Sequence, residues 1–374
     1  MQIGILPLSN HHGETAFHAT LSGAGVTPEN NRGIWYQNSG ALNLAVRSGD
    51  PAPGLGAGVA FADFGDPAFN NARHLAFRGV LTGTGVDAST NESVWSNASG
   101  ALSLVAREGD SAPDVPAGVL FGGFRGTNLY DAILRGNGDA AFVSELTGAG
   151  VTPQNDAALW AQRNGVLGLV AREGDAAPGT SAGTLFSDGL AGDFLPYMND
   201  MGLLAFKGSL TGPGVGTAND EGFWAMHSDG SMHLLFREGD VLEVRPGDFR
   251  TLAFTNYSPR APTGGQDGRQ RILNNYGELA FTANFTDGSQ AVLVFTIPEP
   301  ATAALMALAW IGLVRRPQSH GRPAARLRRG IGFIKVSQYP CSDALSFPRR
   351  RESRDFPIML APRLRGGDGS GIAS

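Results

Sequence analysis

The residues of this chain best suited to chemistry are carboxylates that recur at a regular spacing. A turn of sequence Arg-Ser-Gly-Asp or Arg-Glu-Gly-Asp appears four times, at intervals of 60, 65 and 65 residues. Its aspartates are Asp50, Asp110, Asp175 and Asp240. Carboxylate oxygens suit calcium, but the chain has no Asp-x-Asp-x-Asp-Gly loop. We favour a structural turn, in which glycine takes a positive φ and aspartate accepts backbone N–H groups, and we predict no metal and no other cofactor.

Four tryptophans follow almost the same period. Trp35, Trp95, Trp160 and Trp224 are 60, 65 and 64 residues apart. Exposed tryptophans would offer flat faces on which sugars can stack, whereas buried ones would form a core between neighbouring sheets. Because tryptophan is usually highly buried, we favour the core.

No motif for catalysis stands out. The chain lacks Gly-x-Ser-x-Gly, His-Glu-x-x-His and a phosphate-binding loop. Single acids such as Asp63, Asp188 and Asp193 would suit a glycosidase, but no pattern singles them out. An active site would also break the near-equivalence of the repeats. We therefore predict a non-catalytic protein, and a propeller-type hydrolase acting on polysaccharide is the alternative.

The repeats that position these residues predict an all-β fold. An Ala-Phe pair marks four full repeats of 60–65 residues and a partial fifth. Each repeat has about four short apolar stretches, separated by glycine-containing turns, and Ala-Pro ends the third stretch because proline donates no ladder hydrogen bond. We predict a β-propeller-like array of four-stranded blades over residues 1–296, followed by a short C-terminal apolar helix. A β-solenoid or a row of small sandwiches is the second choice.

The turn before the Ala-Phe pair has a pattern of its own. Residues 10–17 and 274–281 read Asn-x-x-Gly-x-x-Ala-Phe, and we take the three middle copies to depart from this spacing. The pattern resembles the NxxGxxAF tandem-repeat family of bacterial surface proteins over about residues 10–296. The resemblance implies an exported protein of the cell surface or extracellular matrix of a Gram-negative bacterium. Interaction with exopolysaccharide or other surface components is the expected function.

The segment after the last repeat combines three features in order. Pro298-Glu299-Pro300 is followed by an apolar run over residues 301–314 and then by Arg315 and Arg316. This order resembles the PEP-CTERM sorting signal. The resemblance implies transient membrane anchoring, with the arginines on the cytoplasmic side, and processing by an exosortase-type membrane protease. A short buried helix is the alternative, because fourteen helical residues span only ~21 Å of a ~30 Å bilayer core.

Charge divides the chain into different kinds of segment. Residues 1–300 carry 30 acidic and 16 basic residues, whereas the remainder carries 4 and 13, for a net charge of −5. An acidic body argues against nucleic-acid binding. We predict a repeat domain over 1–296, the sorting signal over 297–316 and a disordered basic tail over 317–374. The first residues lack the basic and apolar segments of a signal peptide, so the sequence as given starts without the expected export signal.

Overall fold

The computed structural model describes residues 2–3, 7–125, 132–187, 196–256, 272–297 and 333–336. Within these residues the chain forms twenty-five β-strands and one short 3₁₀-helix, Pro28–Asn30. The strands make five antiparallel sheets, numbered 1 to 5, each built from five strands that are consecutive in sequence. The five sheets belong to one compact unit, Met1–Gln338.

The first three sheets take up residues 2–172. Sheet 1 comprises β1 (Gln2–Ile3), β2 (Leu8–Ser9), β3 (Thr15–Thr20), β4 (Arg32–Asn38) and β5 (Ala41–Arg47). Sheet 2 comprises β6 (Val59–Phe64), β7 (Ala68–Phe69), β8 (Leu75–Gly83), β9 (Glu92–Ser96) and β10 (Ser103–Arg107). Sheet 3 comprises β11 (Val119–Arg125), β12 (Ile133–Leu134), β13 (Ala140–Gly148), β14 (Ala157–Arg163) and β15 (Val166–Arg172).

The last two sheets are also built from strands that are consecutive in sequence. Sheet 4 comprises β16 (Leu185–Ser187), β17 (Tyr197–Met198), β18 (Leu204–Thr211), β19 (Glu221–Met226) and β20 (Met232–Arg237). Sheet 5 comprises β21 (Val241–Arg245), β22 (Asp248–Asn256), β23 (Glu278–Phe285), β24 (Gln290–Thr296) and β25 (Phe333–Val336).

The all-β prediction is confirmed, but the sheets are offset from the sequence repeats by one strand. The fourth apolar stretch of each repeat pairs with the Ala-Phe strand of the next sheet, as β6 pairs with β8 and β11 with β13. The Arg-x-Gly-Asp turn before this stretch bonds to the next sheet. Gly109 donates its N–H to the Phe121 carbonyl at 2.9 Å, and the Phe121 N–H donates to the Asp110 carbonyl at 2.9 Å. Four such Gly-Asp joints connect the five sheets. In each, the bonds to the next sheet are between backbone groups.

Sheet 5 differs from the other sheets and corrects one expectation. The partial fifth repeat supplies only β23 and β24, whereas β21 and β22 follow the Gly-Asp turn of the fourth repeat. Val241 follows that turn where the earlier repeats have Ala-Pro soon after, and β21 can therefore pair with β22. Strand β25, Phe333–Val336, lies inside the tail that we predicted to be disordered, yet it pairs with β24. A short apolar stretch gains a ladder wherever a strand edge is open to it.

The core consists of layers between consecutive sheets. We call the face of each sheet that carries the phenylalanine of the Ala-Phe pair its front face, and the opposite face its back face. Ile34 and Val46, on the back of sheet 1, share one buried cluster with Phe77 and Trp95, on the front of sheet 2. The same back-to-front packing joins the other consecutive sheets.

Candidate functional site

A tight turn precedes every Ala-Phe strand and begins where the sequence motif places asparagine. In the first repeat, the backbone N–H of Asn10 donates to the Glu14 carbonyl at 2.9 Å, and the N–H of Gly13 donates to the Asn10 carbonyl at 3.0 Å. The same two bonds occur in all five repeats. The turns begin at Asn10, Asn70, Arg135, Asn199 and Asn274. We call this set of turns the asparagine row.

The asparagine side chain closes its own turn. The Oδ1 of Asn10 accepts the backbone N–H groups of His12 and Glu14, both at 3.0 Å. The asparagines that begin the fourth and fifth turns accept the two corresponding N–H groups at 2.9–3.0 Å. A short side-chain carbonyl that reaches nearby N–H groups is the reason why asparagine favours such turns.

The row shows that our interpretation of the middle copies was wrong. Asn70 and Asn199 both begin turns, three residues before a positive-φ position and seven before the phenylalanine of the Ala-Phe pair. Arg73 takes the glycine position of the second repeat at a φ of 67°. In the third repeat Arg135 replaces asparagine, and Asn137 accepts the N–H two residues further on at 3.0 Å. Counting back from the Ala-Phe pair would have found all three turns.

Side-chain hydrogen bonds run from one turn to the next. The Nδ2 of Asn70 donates to the Arg135 carbonyl at 2.7 Å, and Asn70 is completely buried. The Nδ2 of Asn199 donates to the Asn274 carbonyl at 2.9 Å. Asn10 makes a longer bond of the same kind, 3.4 Å, to the carbonyl of Asn70. The asparagines therefore connect neighbouring sheets as well as capping their own turns.

A second set of bonds joins the residues that follow the asparagines. The backbone N–H of His11 donates to Oδ1 of Asn71 at 2.8 Å, and that of Gly136 donates to Oδ1 of Asp200 at 2.8 Å. The backbone N–H of Asp200 donates in turn to Oδ1 of Asn275 at 3.0 Å. Together the two sets fix the register of the row, so that equivalent residues of successive repeats lie side by side.

A buried carboxylate ties the row to the neighbouring hairpin turn. The carboxylate of Glu14 accepts Nδ2 of Asn10 at 2.9 Å, the Ser39 N–H at 2.8 Å and Nε of Arg73 at 2.8 Å. Burial raises the pKa of Glu14, but these hydrogen bonds and the Arg73 charge outweigh burial and lower its pKa to about 2. Asp139 takes this place in the third repeat and accepts two N–H groups of its own hairpin turn at 2.7 and 3.0 Å.

The third residue of each turn is exposed to solvent. These residues are His12, Ala72, Asn137, Met201 and Tyr276. Tyr276 is 85% exposed and Met201 is 68% exposed, although large apolar side chains are more often buried. Amides and imidazoles donate and accept hydrogen bonds, and a phenol ring adds a flat apolar face. Sequence reasoning missed these residues because they share a position but not a residue type.

All of these turns lie in a region that one known family covers. A family model described as a family of unknown function, DUF7453, matches residues 3–304. The chain belongs to DUF7453. The match includes the whole of sheets 2, 3 and 4 and ends before β25. None of the curated proteins matches the chain.

The tryptophans of the DUF7453 chain lie on the front faces of sheets 1 to 4. Trp95, Trp160 and Trp224 are fully buried, as expected, whereas Trp35 is only half-buried. In sheet 2 the ring of Phe61 packs edge-on against Trp95 at 4.9 Å, and sheets 3 and 4 repeat this contact. Phe61 lies on the first strand of its sheet, and the corresponding strand of sheet 1 has only two residues.

The three buried indoles find hydrogen-bond acceptors in different ways. The indole N–H in sheet 2 donates to Oγ of Ser93 at 2.8 Å, and the one in sheet 3 donates to Oγ of Ser144 at 2.8 Å. Ser93 lies on the same strand as Trp95, whereas Ser144 lies on the strand beside that of Trp160. In sheet 4 both positions are glycine, and the indole N–H donates to the Pro178 carbonyl at 2.9 Å. A buried N–H group needs a hydrogen-bond acceptor, and each of the three sheets supplies a different one.

The Arg-x-Gly-Asp turns of this DUF7453 chain make local bonds through both charged side chains. The Asp50 carboxylate accepts the backbone N–H of Arg47 at 2.8 Å. Nε of Arg107 donates to the Thr90 carbonyl at 3.0 Å, in the loop before the tryptophan strand. The other predicted aspartates occupy equivalent turns; they are Asp110, Asp175 and Asp240. In the part of the chain that the structure describes, no group of three His, Cys, Asp or Glu residues is placed to hold a metal ion.

One glutamate of these turns has a strongly shifted pKa. Burial, followed by the charge of Glu221 and the hydrogen bond and charge of Asp220, raises the pKa of Glu238 to about 8, against the lowering effect of Lys207. Burial also raises the pKa of Glu108, at the same position of the second repeat, and this carboxylate accepts two backbone N–H groups at 3.1 Å. A raised carboxyl pKa suits a general acid, but here it accompanies a repeated turn.

Several predicted residues lie outside the described part of the chain. Among the acids considered for a hydrolase, Asp63 forms an ion pair with Arg32 at 2.8 Å, and positions 188 and 193 are not described. The predicted apolar helix and sorting motif also fall outside; the motif residues are Pro298, Glu299, Pro300, Arg315 and Arg316. Among the described residues, no helix has both the length and the apolar character needed to cross a membrane.

Proposed function

We propose that this chain is an exported, non-catalytic protein of the cell surface or extracellular matrix, and that it binds a neutral polysaccharide along the asparagine row. The observation that carries the proposal is the exposed third residue of every turn, in a row whose register is fixed by hydrogen bonds. A linear polysaccharide presents hydroxyl groups and flat ring faces at regular intervals. Amides and imidazoles can bind the hydroxyls, and the Tyr276 ring can stack on a sugar face.

Charge favours a neutral polymer over an acidic one. Residues 1–300 carry 30 acidic and 16 basic residues, and an acidic polysaccharide would be repelled by that excess. None of the exposed third residues is an acid, a lysine or an arginine: they are one histidine, one alanine, one asparagine, one methionine and one tyrosine. Binding would therefore depend on hydrogen bonds and ring stacking, and it would respond weakly to salt.

The finer architecture is part of the same proposal. The sheets would be blades of a propeller-like array, because sheets 1 to 4 each have a four-strand order with one short strand added beside it, and each of the first four repeats supplies the first strand of the following sheet. Repeat proteins of this type present extended surfaces made from equivalent positions. The asparagine row has that property.

Export and sorting rest on the sequence motif alone. An exosortase-type membrane protease would cleave near Pro298-Glu299-Pro300 after transient anchoring by the apolar run. Mass spectrometry of the secreted protein tests this. Replacing the three residues by alanine should leave the protein membrane-bound and uncleaved. A secreted wild-type protein that still carries residues 301–314 would contradict the idea.

The binding proposal is tested by affinity electrophoresis of the full chain in gels containing galactomannan, xyloglucan or alginate. We expect retardation by at least one neutral polymer and none by alginate. Tyr276→Ala should weaken binding by about ten-fold, the size of one lost stacking contact. Phe249→Ala is the control, since Phe249 is another exposed aromatic residue of sheet 5 that lies outside the row. Equal binding by wild type and Tyr276→Ala would contradict the proposal.

A polysaccharide hydrolase is the second candidate, and the raised pKa of Glu238 is the observation that favours it. We rank it lower because Glu108 and Glu173 occupy the same repeat position, and an active site would use that position once. Incubation of the same polysaccharides with the full chain, followed by an assay for reducing ends, separates the two. Sugar release that disappears in Glu238→Gln would establish the hydrolase.

A further inference from the structure

The packing between sheets is directional, and it is repeated four times. The residue before the tryptophan position lies on the back face of its sheet, and it is at most 2% exposed in the first four sheets. These residues are Ile34, Val94, Leu159 and Phe223. Each is covered by the front face of the following sheet. The chain therefore contains four copies of one interface, each between the apolar back of one sheet and the apolar front of the next.

The front face of sheet 1 has the composition of this interface, but no sheet in the described part of the chain covers it. Phe17, Trp35 and Leu44 are paired across its three strands, as Phe77, Trp95 and Leu104 are in sheet 2. Leu44 is 49% exposed, and Phe17 and Trp35 are half-buried. The corresponding leucines of sheets 2, 3 and 4 pack against the core between sheets; they are Leu104, Leu169 and Leu234.

The back face of sheet 5 is exposed at the matching positions. Val292, the residue before the tryptophan position, is 49% exposed, in contrast to its four buried counterparts. Ala280 of the Ala-Phe pair is partly exposed, whereas the corresponding alanines of sheets 1 to 4 are at most 1% exposed. Sheets 1 and 5 thus expose the two complementary halves of the repeated interface.

We propose that the chain associates head to tail, with the front face of sheet 1 of one copy packed on the back face of sheet 5 of a second copy. A second copy fits because each exposed face already has its partner surface in the sequence of the same protein, four times over. The faces are different surfaces, so the contact is heterologous and can extend to a ring or to a longer chain. Burial of these apolar side chains supplies the driving force.

The asparagine row would continue across this contact. In the last turn the Nδ2 of Asn274 donates to its own neighbour Glu278 at 2.8 Å, and both residues lie near the surface. In the preceding turn the same group of Asn199 donates to the next turn's carbonyl. A second copy would place the Asn10 carbonyl where the Asn274 amide can reach it, so that the row becomes longer in the assembly.

Sedimentation of the full chain over a range of concentrations tests the proposal. Leu44→Lys blocks the front face, and Val292→Lys blocks the back face. Both residues are exposed, so we expect both variants to fold, and circular dichroism checks this. Wild type should form species above the monomer mass as concentration rises. Each variant alone should remain monomeric, with the association constant lowered by at least about 100-fold, which is about 2.7 kcal/mol.

Mixing the two variants gives the decisive measurement. Each retains one intact face, so an equimolar mixture should form dimers and nothing larger. Val166→Lys, at a hairpin tip that is 72% exposed, is the control and should associate like wild type. A monomeric wild type at every concentration would overturn the proposal in favour of a cover from the same chain. Failure of the mixture to dimerise would overturn it in favour of a like-with-like contact.

Discussion

The two kinds of connection between sheets use different parts of the chain. At the Gly-Asp joints, the bonds to the next sheet are between backbone N–H and carbonyl groups, as between Gly109 and Phe121. In the asparagine row, side chains make the bonds, as from Asn70 to the Arg135 carbonyl. A backbone joint tolerates substitution, and Ser48 can replace glutamate in the first copy because its Oγ accepts an N–H at 3.0 Å. An asparagine bond is lost where the side chain changes: the third turn begins with arginine, and its bond to the fourth turn runs instead from the Gly136 N–H to Oδ1 of Asp200.

The row should therefore be the more sensitive connection at a buried position. Asn70→Ala removes the bond to the Arg135 carbonyl and the acceptor for the His74 N–H at 2.9 Å. Since Asn70 is completely buried, the His74 N–H would lose its acceptor without access to water and the Arg135 carbonyl would keep the Gly138 N–H alone, and we expect a loss of about 2 kcal/mol in urea unfolding. Asn274→Ala, the same change at an exposed position, should cost less than about 1 kcal/mol. Equal losses would show that the bond between turns contributes nothing.

The Gly-Asp joints should depend on glycine rather than on side chains. Gly109 has a φ of 84°, and an added Cβ would lie 3.0 Å from the Thr90 methyl and 3.2 Å from the Ser89 carbonyl oxygen. We expect Gly109→Ala to cost about 2 kcal/mol. Gly100→Ala is the matched control. Gly100 has a φ of 94° and no atom within 4 Å of an added Cβ, so the substitution would add backbone strain without a steric contact. If the two variants melted at the same temperature, close packing around Gly109 would not contribute to the stability of the joint.

The carboxylate of the row should stabilise the fold at neutral pH. The pKa of Glu14 is lowered to about 2 in the folded protein, so its contribution is present above its ordinary value near 4.5 and is lost as pH falls towards 2. Glu14→Gln should cost about 1.5 kcal/mol at neutral pH, because glutamine cannot accept the same charged and backbone donors. Unfolding curves recorded at decreasing pH should converge with those of wild type. A difference that is independent of pH would argue against ionised Glu14.

The carboxyl group at the fourth Gly-Asp joint should behave in the opposite way. The pKa of Glu238 is raised to about 8, so its contribution to stability is complete below 4.5 and is lost as pH rises through 8. Glu238→Gln should leave stability nearly unchanged in acid and raise it by about 1 kcal/mol above pH 8. The same unfolding series measures this. A variant that is less stable at high pH would mean that the ionised carboxylate has a partner.

The sequence predicts the strands better than it predicts their partners. The spacing of the Ala-Phe pairs and of Trp95, Trp160 and Trp224 is enough to predict an all-β repeat fold, since period and residue type are local properties. Alternation shows that a stretch is a strand, but it does not show which edge the strand joins, so the crossing of β6 and β11 was missed. The pairing of β25 is likewise a contact over a long stretch of sequence.

The candidate site was harder to predict for two reasons. A positive φ is uncommon for arginine, so Arg73 did not suggest a glycine position. The tips of the row, such as Met201 and Tyr276, share only their place in a turn, and exposure depends on how the turns lie beside one another. Residue type alone does not predict how the turns lie beside one another.

The offset between repeat and sheet has a consequence for how such a chain can grow. Because sheets 2 to 5 each begin with a strand from the preceding repeat, unfolding of one repeat would disrupt two consecutive sheets and expose open strand edges. Gene duplication that copies one period, from Asp110 to Asp175, would insert a complete new sheet with a Gly-Asp joint on either side. Recombination can thus lengthen the array by whole sheets while every pair of neighbouring sheets keeps its Gly-Asp joint.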